Sequence, residues 1–400
     1  MLTRTFVFQD SKIEQVNTDS RVIEVSQQQH YQEQIGYGFV TEADRNQSDA
    51  LQIPELNAGF ERAKNYKKDT KILADEYGCY VEQGEVFPLC FKTDVSRAGN
   101  YDVTVTFYGS GQVTIYAGFR RLVHKMYYAK EDVHTCQFTL NVCDVIPKGK
   151  NCLYEHRCID IALLGKDVRL QRLFYQKCNI PTIYLAGDTM VADYSAEYPF
   201  ESLRSITGWG QVFPMFLTKN VALSNQAQAD MNVDTFRAEG YYANIQAHMR
   251  LGDYLILHFS GVHEAMQEEM LGVGEYRVCL AGMIEEARAM GAYPILVTPL
   301  LDEKDDKLLV MQEKYTIVCM DLGEVYRVPV LNLTDYSLMQ QYEDGLQENE
   351  AYQLAVHIIE IYRALADKTK IAAYNRLAGY LMEPQDVTAR KENRNKKKRA

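Results

Sequence analysis

The apolar stretch TIYLAG at residues 182–187 decides the fold that the sequence predicts. Four similar runs follow it: VALSN (221–225), DYLILHF (253–259), YPILVTP (293–299) and VPVLNL (328–333). Strands buried on both faces have near-continuous apolar runs of this kind. Helical stretches at 275–291 and 313–327 separate the last three runs, and a final helix is predicted from about Glu350. The pattern predicts an α/β fold with a doubly wound, five-stranded parallel sheet of the flavodoxin-like kind, whose ligands lie at the carboxyl ends of its strands.

Upstream of this region, residues 36–178 alternate between apolar and polar with period two. In YDVTVTFYG (101–109), for example, Val103, Val105 and Phe107 fall on one face. Glycine-containing turns, GSGQ (109–112) and PKGKN (147–151), are predicted to separate such strands. The expected organisation is a β-sandwich or jelly-roll domain of the galactose-binding kind over 1–178 and an α/β domain over 179–383. A basic, disordered tail is expected over 384–400.

Bulk properties exclude several classes of function. The net charge of −11 argues against a nucleic-acid partner, and no apolar run approaches the ~18 residues that a membrane helix needs. The first residues do not resemble a secretion signal, so a cytoplasmic location is expected. Nine scattered cysteines, with no CxxC pair, favour reduced thiols over a disulfide framework. No metal or cofactor is expected. A metal site formed by Cys136, Cys143, Cys152 and Cys158 is an alternative that the strand-like alternation disfavours.

Sequence blocks in the second half resemble a known family. IYLAGDTMVADY (183–194) is similar to the opening block of SGNH (GDSL) hydrolases, and most closely to the rhamnogalacturonan acetylesterase branch, which has a GDS motif followed by a TVADY-like string. Further blocks follow in the family's order: GWGQ (208–211), NQAQADMNVDTF (225–236), the stretch 275–300 and ENEAYQLA (348–355). Two-domain members of the branch carry an N-terminal β-sandwich with a GYGF string, which stands at 36–39 here.

The resemblance implies hydrolysis of O-acyl esters, commonly acetyl groups on pectic sugars. The family uses a serine nucleophile, a histidine base with an aspartate, and an oxyanion hole made of the serine amide, a glycine amide and an asparagine side chain. In this sequence Thr189 stands at the nucleophile, Asp230 at the glycine and Val262 at the asparagine. DGLQ replaces a DxxH motif, so that Asp344 is kept and Gln347 stands at the base.

These departures predict an impaired site. Gln347 has no titratable proton, and loss of a triad base costs on the order of 10⁴–10⁶ in rate. Val262 cannot donate a hydrogen bond, which costs roughly 10²–10³. Thr189 keeps a hydroxyl, but its methyl group crowds the approach of an acyl carbon, and the hydroxyl could instead cap a helix. Asp230 could place a carboxylate near the oxyanion, or could point outward and leave its amide usable.

A base in place of Gln347 would have to come from another part of the sequence. His263, in the block FSGVH, stands where the family has aspartate in a GHND-like block and is the possible substitute base. Ser260 and Glu264 lie beside it and could form a new constellation with it. His258 alternates inside a strand and is expected to be a core residue, and His357 lies well inside the last helix.

Two functional hypotheses follow. The first is an SGNH-like protein that has lost hydrolysis and is kept for carbohydrate binding, with a pectic oligosaccharide as ligand, or for assembly. The alternative is an active carbohydrate O-acetylesterase that uses Thr189, or a water activated by Asp344 or His263. A purely structural or protein-binding role and the oligomeric state stay open. In either case Thr189, Asp230, Val262 and Asp344 are expected to converge at one crevice.

Overall fold

The structure is a computed structural model that describes residues 3–8, 21–41, 58–66, 70–147, 150, 152–266, 271–302, 304–336, 345–366 and 368–383. Its strands are β1 (Thr3–Phe8), β2 (Arg21–Val25), β3 (Tyr37–Phe39), β4 (Phe60–Arg62), β5 (Ile72–Asp75), β6 (Gly78–Val81), β7 (Leu89–Asp94), β8 (Gly99–Ala117), β9 (Arg121–Val142), β10 (Cys158–Leu164), β11 (Arg169–Cys178), β12 (Thr182–Gly187), β13 (Ala196–Tyr198), β14 (Ala222–Asn225), β15 (Tyr254–His258), β16 (Tyr293–Val297) and β17 (Val330–Leu331). Its α-helices are α1 (Trp209–Val212), α2 (Val233–Ala238), α3 (Tyr241–His248), α4 (Val262–Met266), α5 (Val273–Ala289), α6 (Asp306–Tyr326), α7 (Glu348–Ala366) and α8 (Ala372–Ala378).

The second half contains a five-stranded sheet in the order β14-β12-β15-β16-β17. Every neighbouring pair in it is parallel. Numbered from β12, this is the order 2-1-3-4-5 of flavodoxin-like sheets. The predicted parallel α/β fold is therefore confirmed. The order reverses beside β12, and the crevice for a ligand is expected at that point, outside the carboxyl ends of β12 and β15.

Helices cover both faces of this sheet. Tyr184 and Ala186 belong to one apolar cluster with residues of α2, α3, α5 and α6. Ile183 and Leu185, which point the other way, belong to a second cluster with residues of α1, α7 and α8. Because successive side chains of a strand face opposite sides, a strand covered on both sides must be apolar at every position. This explains the unbroken run TIYLAG.

The first half forms a ten-stranded sheet built around the two longest strands, β8 and β9. Its neighbouring strands run antiparallel, apart from the parallel pair β1–β2. The predicted turn at GSGQ (109–112) is wrong. These residues lie inside β8, where the pairing with β9 shifts register between Gly109 and Gly111. Glycines within a strand mark such a bulge as readily as a turn.

The two halves share one apolar core. The strands of the ten-stranded sheet end at Cys178 and those of the parallel sheet begin at Thr182. However, one cluster of buried residues contains side chains from both sheets, and β4 of the first half pairs with β13 of the second. The division into domains at residue 178 and the sandwich or jelly-roll architecture stay predictions. The predicted tail at 384–400 lies outside the described residues.

In the part of the chain that the structure describes, no helix combines the length and the apolar character that a membrane crossing requires.

Candidate functional site

Thr189 lies directly after β12, at the carboxyl edge of the parallel sheet. The preceding residue, Asp188, is fully buried and fixes this turn. Its carboxylate accepts hydrogen bonds from the Met190 amide (3.1 Å) and from both the amide and the hydroxyl of Ser260 (2.6 Å each). Ser260 follows β15, so Asp188 joins the ends of the two central strands. The Thr189 side chain is thereby held at the predicted crevice.

The Thr189 hydroxyl lies between an imidazole and a backbone amide. Thr189 Oγ1 is 2.8 Å from Nε2 of His263, and the Asp230 amide donates to the same oxygen over 3.0 Å. With one N–H donor already directed at Oγ1, the hydroxyl's own proton is free to point to Nε2 when the imidazole proton is on Nδ1. This is the relation between a hydroxyl nucleophile and its base. The predicted proximity of His263 to the crevice agrees with this geometry.

Asp230 matches the backbone of the glycine it replaces. Its φ is +65°, in the left-handed region that favours glycine. Its carboxylate is 61% exposed and lies 4.0 Å from His263 Nε2. The side chain thus points toward solvent beside the imidazole, and its amide faces Thr189. The carboxylate is thus exposed but lies beside the imidazole nitrogen that contacts Thr189, and the amide is directed at the Thr189 hydroxyl.

Val262 is the first residue of α4 and is buried. It precedes His263 in the chain, whereas the contacts to the Thr189 hydroxyl come from His263 and the Asp230 amide. The convergence of Val262 and Asp344 on the same crevice stays a prediction. The isopropyl group of Val262 offers no hydrogen-bond donor to an oxyanion. The loss of an oxyanion donor at this position stays a prediction from the sequence resemblance.

The segment that carries the family's base is only partly described, and Asp344 lies outside the described residues. Gln347 is exposed. Its backbone forms a bridge with Ile206, and its backbone N–H donates to the Glu350 carboxylate. Gly345, which the sequence did not single out, lies against the site. A Cβ on Gly345 would stand 3.7 Å from Thr189 Cγ2, and the φ of this glycine is +96°. The positive φ is the physical reason for glycine here.

The other candidates from the sequence, Ser260, Glu264 and His357, make their contacts with residues other than Thr189. The Ser260 hydroxyl donates to Asp188, and Glu264 Oε1 accepts from the Val233 amide. Neither joins His263 in a constellation around Thr189. His357 packs its ring on Tyr336, with 4.7 Å between centroids. His263 is therefore the histidine that contacts the nucleophile position among the described residues.

His258 and Glu264 are buried titratable groups below the site. The ring of His258 accepts a hydrogen bond from Trp209 Nε1 through Nδ1, and burial lowers the pKa of His258 to about 4. This agrees with the predicted core role. Burial, followed by the charge of Asp188, raises the pKa of Glu264 to about 8. Glu264 is therefore a neutral acid at pH 7, and it cannot orient His263 as a carboxylate would.

The sequence of the chain is similar to two esterases of Bacillus subtilis. The chain is 27% identical over 212 residues to the uncharacterized esterase YxiM of Bacillus subtilis, covering 52% of this chain and 52% of that protein. It is 28% identical over 154 residues to the rhamnogalacturonan acetylesterase RhgT of the same organism, covering 38% of this chain and 64% of that protein. The chain is similar to rhamnogalacturonan acetylesterases. The resemblance predicted from the sequence blocks is confirmed, although the chain spans only about half to two thirds of these relatives.

Solved structures give a weaker comparison. The crystal structure of YxiM covers 82% of this chain and 85% of its own, with 20% identity and a TM-score of 0.35. The acetylxylan esterase Axe2 of Geobacillus stearothermophilus covers 45% of this chain and 93% of its own, with 14% identity and a TM-score of 0.35. No family model matches the chain.

A small cavity of about 130 Å³ adjoins the site. Tyr194, whose hydroxyl donates to the Thr189 carbonyl over 2.8 Å, lines it together with Ala229, the neighbour of Asp230. The opposite lining comes from the first half of the chain, from Phe119 and Val145. Both halves of the chain thus line this cavity.

The turn between β8 and β9 holds the loop after Thr189. Arg120 is almost fully buried and donates to the carbonyl of Tyr194 over 2.9 Å. Arg121 forms a 2.8 Å ion pair with Asp193 and donates to the Asn225 carbonyl. Burial raises the pKa of Asp193, and the charge of Arg121 opposes that shift. These contacts hold the segment 193–194, whose Tyr194 hydroxyl donates to the Thr189 carbonyl.

One cluster within the first sheet has the side-chain types of a metal site. The ligand atoms of His156, Cys158 and Asp160 lie within 4.8 Å of one another, and all three residues are buried. Lys92 pairs with Asp160 in the strand register, and its charge lowers the pKa of that carboxyl. A cation would meet the charge of Lys92 there. We therefore assign no metal to this cluster, which shares only Cys158 with the four-cysteine alternative of the sequence analysis.

Proposed function

We propose that the chain is a carbohydrate O-acylesterase in which Thr189 is the nucleophile and His263 the base. The observation that carries the proposal is the 2.8 Å contact between Thr189 Oγ1 and His263 Nε2. In this proposal His263 provides the base, which the related sequences carry at the position of Gln347. The similarity to rhamnogalacturonan acetylesterases supports an acetylated pectic sugar as substrate.

The proposed reaction follows from the contacts. His263 Nε2 takes the Thr189 proton while Oγ1 attacks the acyl carbonyl carbon. The Asp230 amide, which donates to Oγ1 before the attack, turns to the developing oxyanion. The bond between the carbonyl carbon and the sugar oxygen then breaks, and His263 returns the proton to that oxygen. A water activated by His263 next cleaves the acyl-threonine ester, which releases the carboxylic acid and restores the hydroxyl.

Two features make slow turnover the expectation. Val262 leaves the oxyanion with one donor fewer than the family's site, a loss of roughly 10²–10³ in rate. The Thr189 methyl restricts the rotation of the hydroxyl and occupies space beside the attack trajectory. A kcat well below the enzyme median of about 10 s⁻¹ is expected.

The same two features favour a second candidate function, a carbohydrate-binding protein that no longer hydrolyses its ligand. In that case the crevice binds an acylated sugar, and the contact between Thr189 and His263 is structural. The two candidates differ in one measurable property, the dependence of acetate release on both residues.

Acetate release from acetylated rhamnogalacturonan oligosaccharides tests the proposal. The unsubstituted protein is compared with Thr189→Val, which keeps the shape of the side chain without its hydroxyl, and with His263→Gln. His357→Gln is the matched control, because this histidine packs on Tyr336. We expect each site variant to lose at least about 100-fold in kcat and the control to keep its rate. An undetectable rate in the unsubstituted protein, or an unchanged rate in His263→Gln, would support the binding protein instead.

A further inference from the structure

The peptide bond between Thr189 and Met190 is held from both ends. Its carbonyl accepts a hydrogen bond from the Tyr194 hydroxyl over 2.8 Å, and its N–H donates to the Asp188 carboxylate over 3.1 Å. Burial raises the pKa of the Tyr194 hydroxyl, so this hydroxyl keeps the proton that it donates. Because a peptide unit is planar, hydrogen bonds at its two ends fix the orientation of its plane. Thr189 is β-branched, so few rotations about its Cα–Cβ bond remain, and the backbone contacts determine where Oγ1 points.

The backbone of Tyr194 is fixed in turn, in part by the first half of the chain. The Tyr194 carbonyl accepts from Arg120 Nε over 2.9 Å and from Gln211 Nε2 over 2.8 Å. Arg120 lies in the turn between β8 and β9 and is 1% exposed. Gln211, in α1, is also buried, and its Oε1 accepts from Arg120 Nη2 over 3.2 Å. Two buried donors that also contact each other therefore hold one carbonyl group.

Arg120 also holds a second segment of the crevice. Its Nη2 donates to the Ile206 carbonyl and to the Thr207 hydroxyl. These two residues meet the loop before α7, since Ile206 forms a bridge with Gln347 and the Thr207 amide donates to the Leu346 carbonyl over 2.7 Å. One rigid guanidinium thus joins the segment after Thr189 to the segment beside this loop. The single ammonium of a lysine would not reach the same set of acceptors.

We propose that Tyr194 is a positioning residue for acyl transfer and that Arg120 holds it in place. Tyr194 acts through Thr189, because its hydrogen bond to the Thr189 carbonyl keeps Oγ1 at 2.8 Å from His263 Nε2. Without that hydrogen bond the peptide can rotate, and a misplacement of about 1 Å can cost on the order of 10²-fold in rate. The reaction itself rests on the proposed function. The orientation of the Thr189 hydroxyl is measurable without turnover.

Tyr194→Phe tests the role of this hydroxyl, because it keeps the ring. We expect kcat for acetate release to fall about tenfold with KM unchanged, since substrate binding does not need the direction of Oγ1. Tyr374→Phe is the matched control. The Tyr374 hydroxyl also donates to a backbone carbonyl over 2.8 Å, that of Pro294 near the amino end of β16, whereas Thr189 lies at the carboxyl edge of the sheet. Each variant loses one buried hydrogen bond, so urea unfolding should show similar losses of stability.

A second measurement reports on the geometry alone. The ¹⁵N chemical shift of His263 Nε2 shows whether this nitrogen accepts a hydrogen bond, and Thr189→Val gives the shift without that bond. We expect Tyr194→Phe to move the shift toward the value of Thr189→Val. Tyr374→Phe should leave it at the value of the unsubstituted protein.

A double-mutant cycle with Arg120→Lys tests how Tyr194 is held. Residues of one hydrogen-bond network have non-additive effects. Tyr194→Phe should therefore lower kcat less in the Arg120→Lys protein than in the unsubstituted one. If Arg120→Lys does not fold, Gln211→Met takes its place, because it removes the other donor to the Tyr194 carbonyl.

The positioning role is overturned if Tyr194→Phe keeps both kcat and the His263 shift, if only KM changes, or if Tyr374→Phe loses as much kcat. Additive effects in the cycle would overturn the part assigned to Arg120. An absence of acetate release from the unsubstituted protein would instead overturn the proposed function. In that case the His263 shift still decides whether Tyr194 orients the Thr189 hydroxyl, so the two failures are distinguishable.

Discussion

The identity of the base depends on the direction of one side chain. Val262, His263 and Glu264 are consecutive in α4, and successive residues of an α-helix point about 100° apart. Val262 and Glu264 are buried, whereas His263 reaches Thr189. The sequence predicted His263 as a substitute base but could not decide this, because spacing along a chain does not determine the direction of a side chain. The consequences of Gln347 could be predicted from its chemistry alone.

At the residue scale, Thr189→Ser should raise the rate of acetate release. Serine keeps the contact with His263 and removes the methyl group that crowds the acyl carbon. We expect an increase in kcat of roughly tenfold, which corresponds to about 1.4 kcal/mol. Initial rates on one acetylated substrate measure it. Adding His263→Gln should abolish the gain, and an equal or lower rate in the serine variant would argue against threonine as a hindered nucleophile.

A second prediction at this scale concerns Glu264 and pH. The pKa of its folded form is about 8, above the ordinary value of 4.5, so the folded state keeps a proton that the unfolded state has lost. The stability contributed by this group is present below pH 4.5 and is lost as the pH rises to about 8.

Glu264→Gln removes this titratable group, so the free energy of unfolding should depend less on pH in the variant. Urea unfolding between pH 5 and pH 8 measures the change for both proteins. Glu275→Gln is the control, because this carboxylate forms only the local helix cap at Gly272. An equally steep loss of stability in Glu264→Gln would contradict the raised pKa.

At the scale of elements, the sequence predicted strands better than turns. TIYLAG coincides with β12, and the helix expected at 275–291 is α5 at Val273–Ala289. Continuous apolar runs identify buried strands because both faces need apolar residues. By contrast, the glycines of GSGQ predict a turn but lie at a bulge inside β8, because glycine permits both. The short helices α2 and α3 were not predicted from the sequence, because α2 has only six residues and the eight residues of α3 show little amphipathic periodicity.

The loop before α7 supports a prediction about Gly345. Alanine there would adopt φ +96° and place its Cβ 2.7 Å from Ile206 Cγ2, close to Thr189. Gly111→Ala is a matched control, because its φ is +79° but its Cβ would meet nothing within 4 Å. Both should lose roughly 1 kcal/mol of stability from the backbone. Only Gly345→Ala should also lower kcat, and equal rates in the two variants would show that the loop does not support the site.

At the scale of the whole molecule, the first half of the chain stabilises the crevice of the second. Arg121→Ala should therefore affect both stability and catalysis. It leaves Asp193, whose side chain is 11% exposed, without its cation, and breaking such a pair costs about 3–5 kcal/mol. Urea unfolding and acetate release measure the two effects. The double variant Arg121→Met and Asp193→Leu should recover much of the stability, and a neutral effect of Arg121→Ala would contradict the coupling of the halves.

The reversal of strand order beside β12 has a consequence for how this chain could change over time. The crevice exists because the connection after β12 leads to β14 on one side and the connection after β15 leads to β16 on the other, so backbone connectivity creates it and no single side chain does. The segments after β14 and β15 open onto it, and each contributes a contact to the Thr189 hydroxyl. A group on one of these segments can then be replaced by a group on another without any rearrangement of the sheet. Selection can exchange the chemistry of such a crevice one loop at a time while the scaffold stays folded.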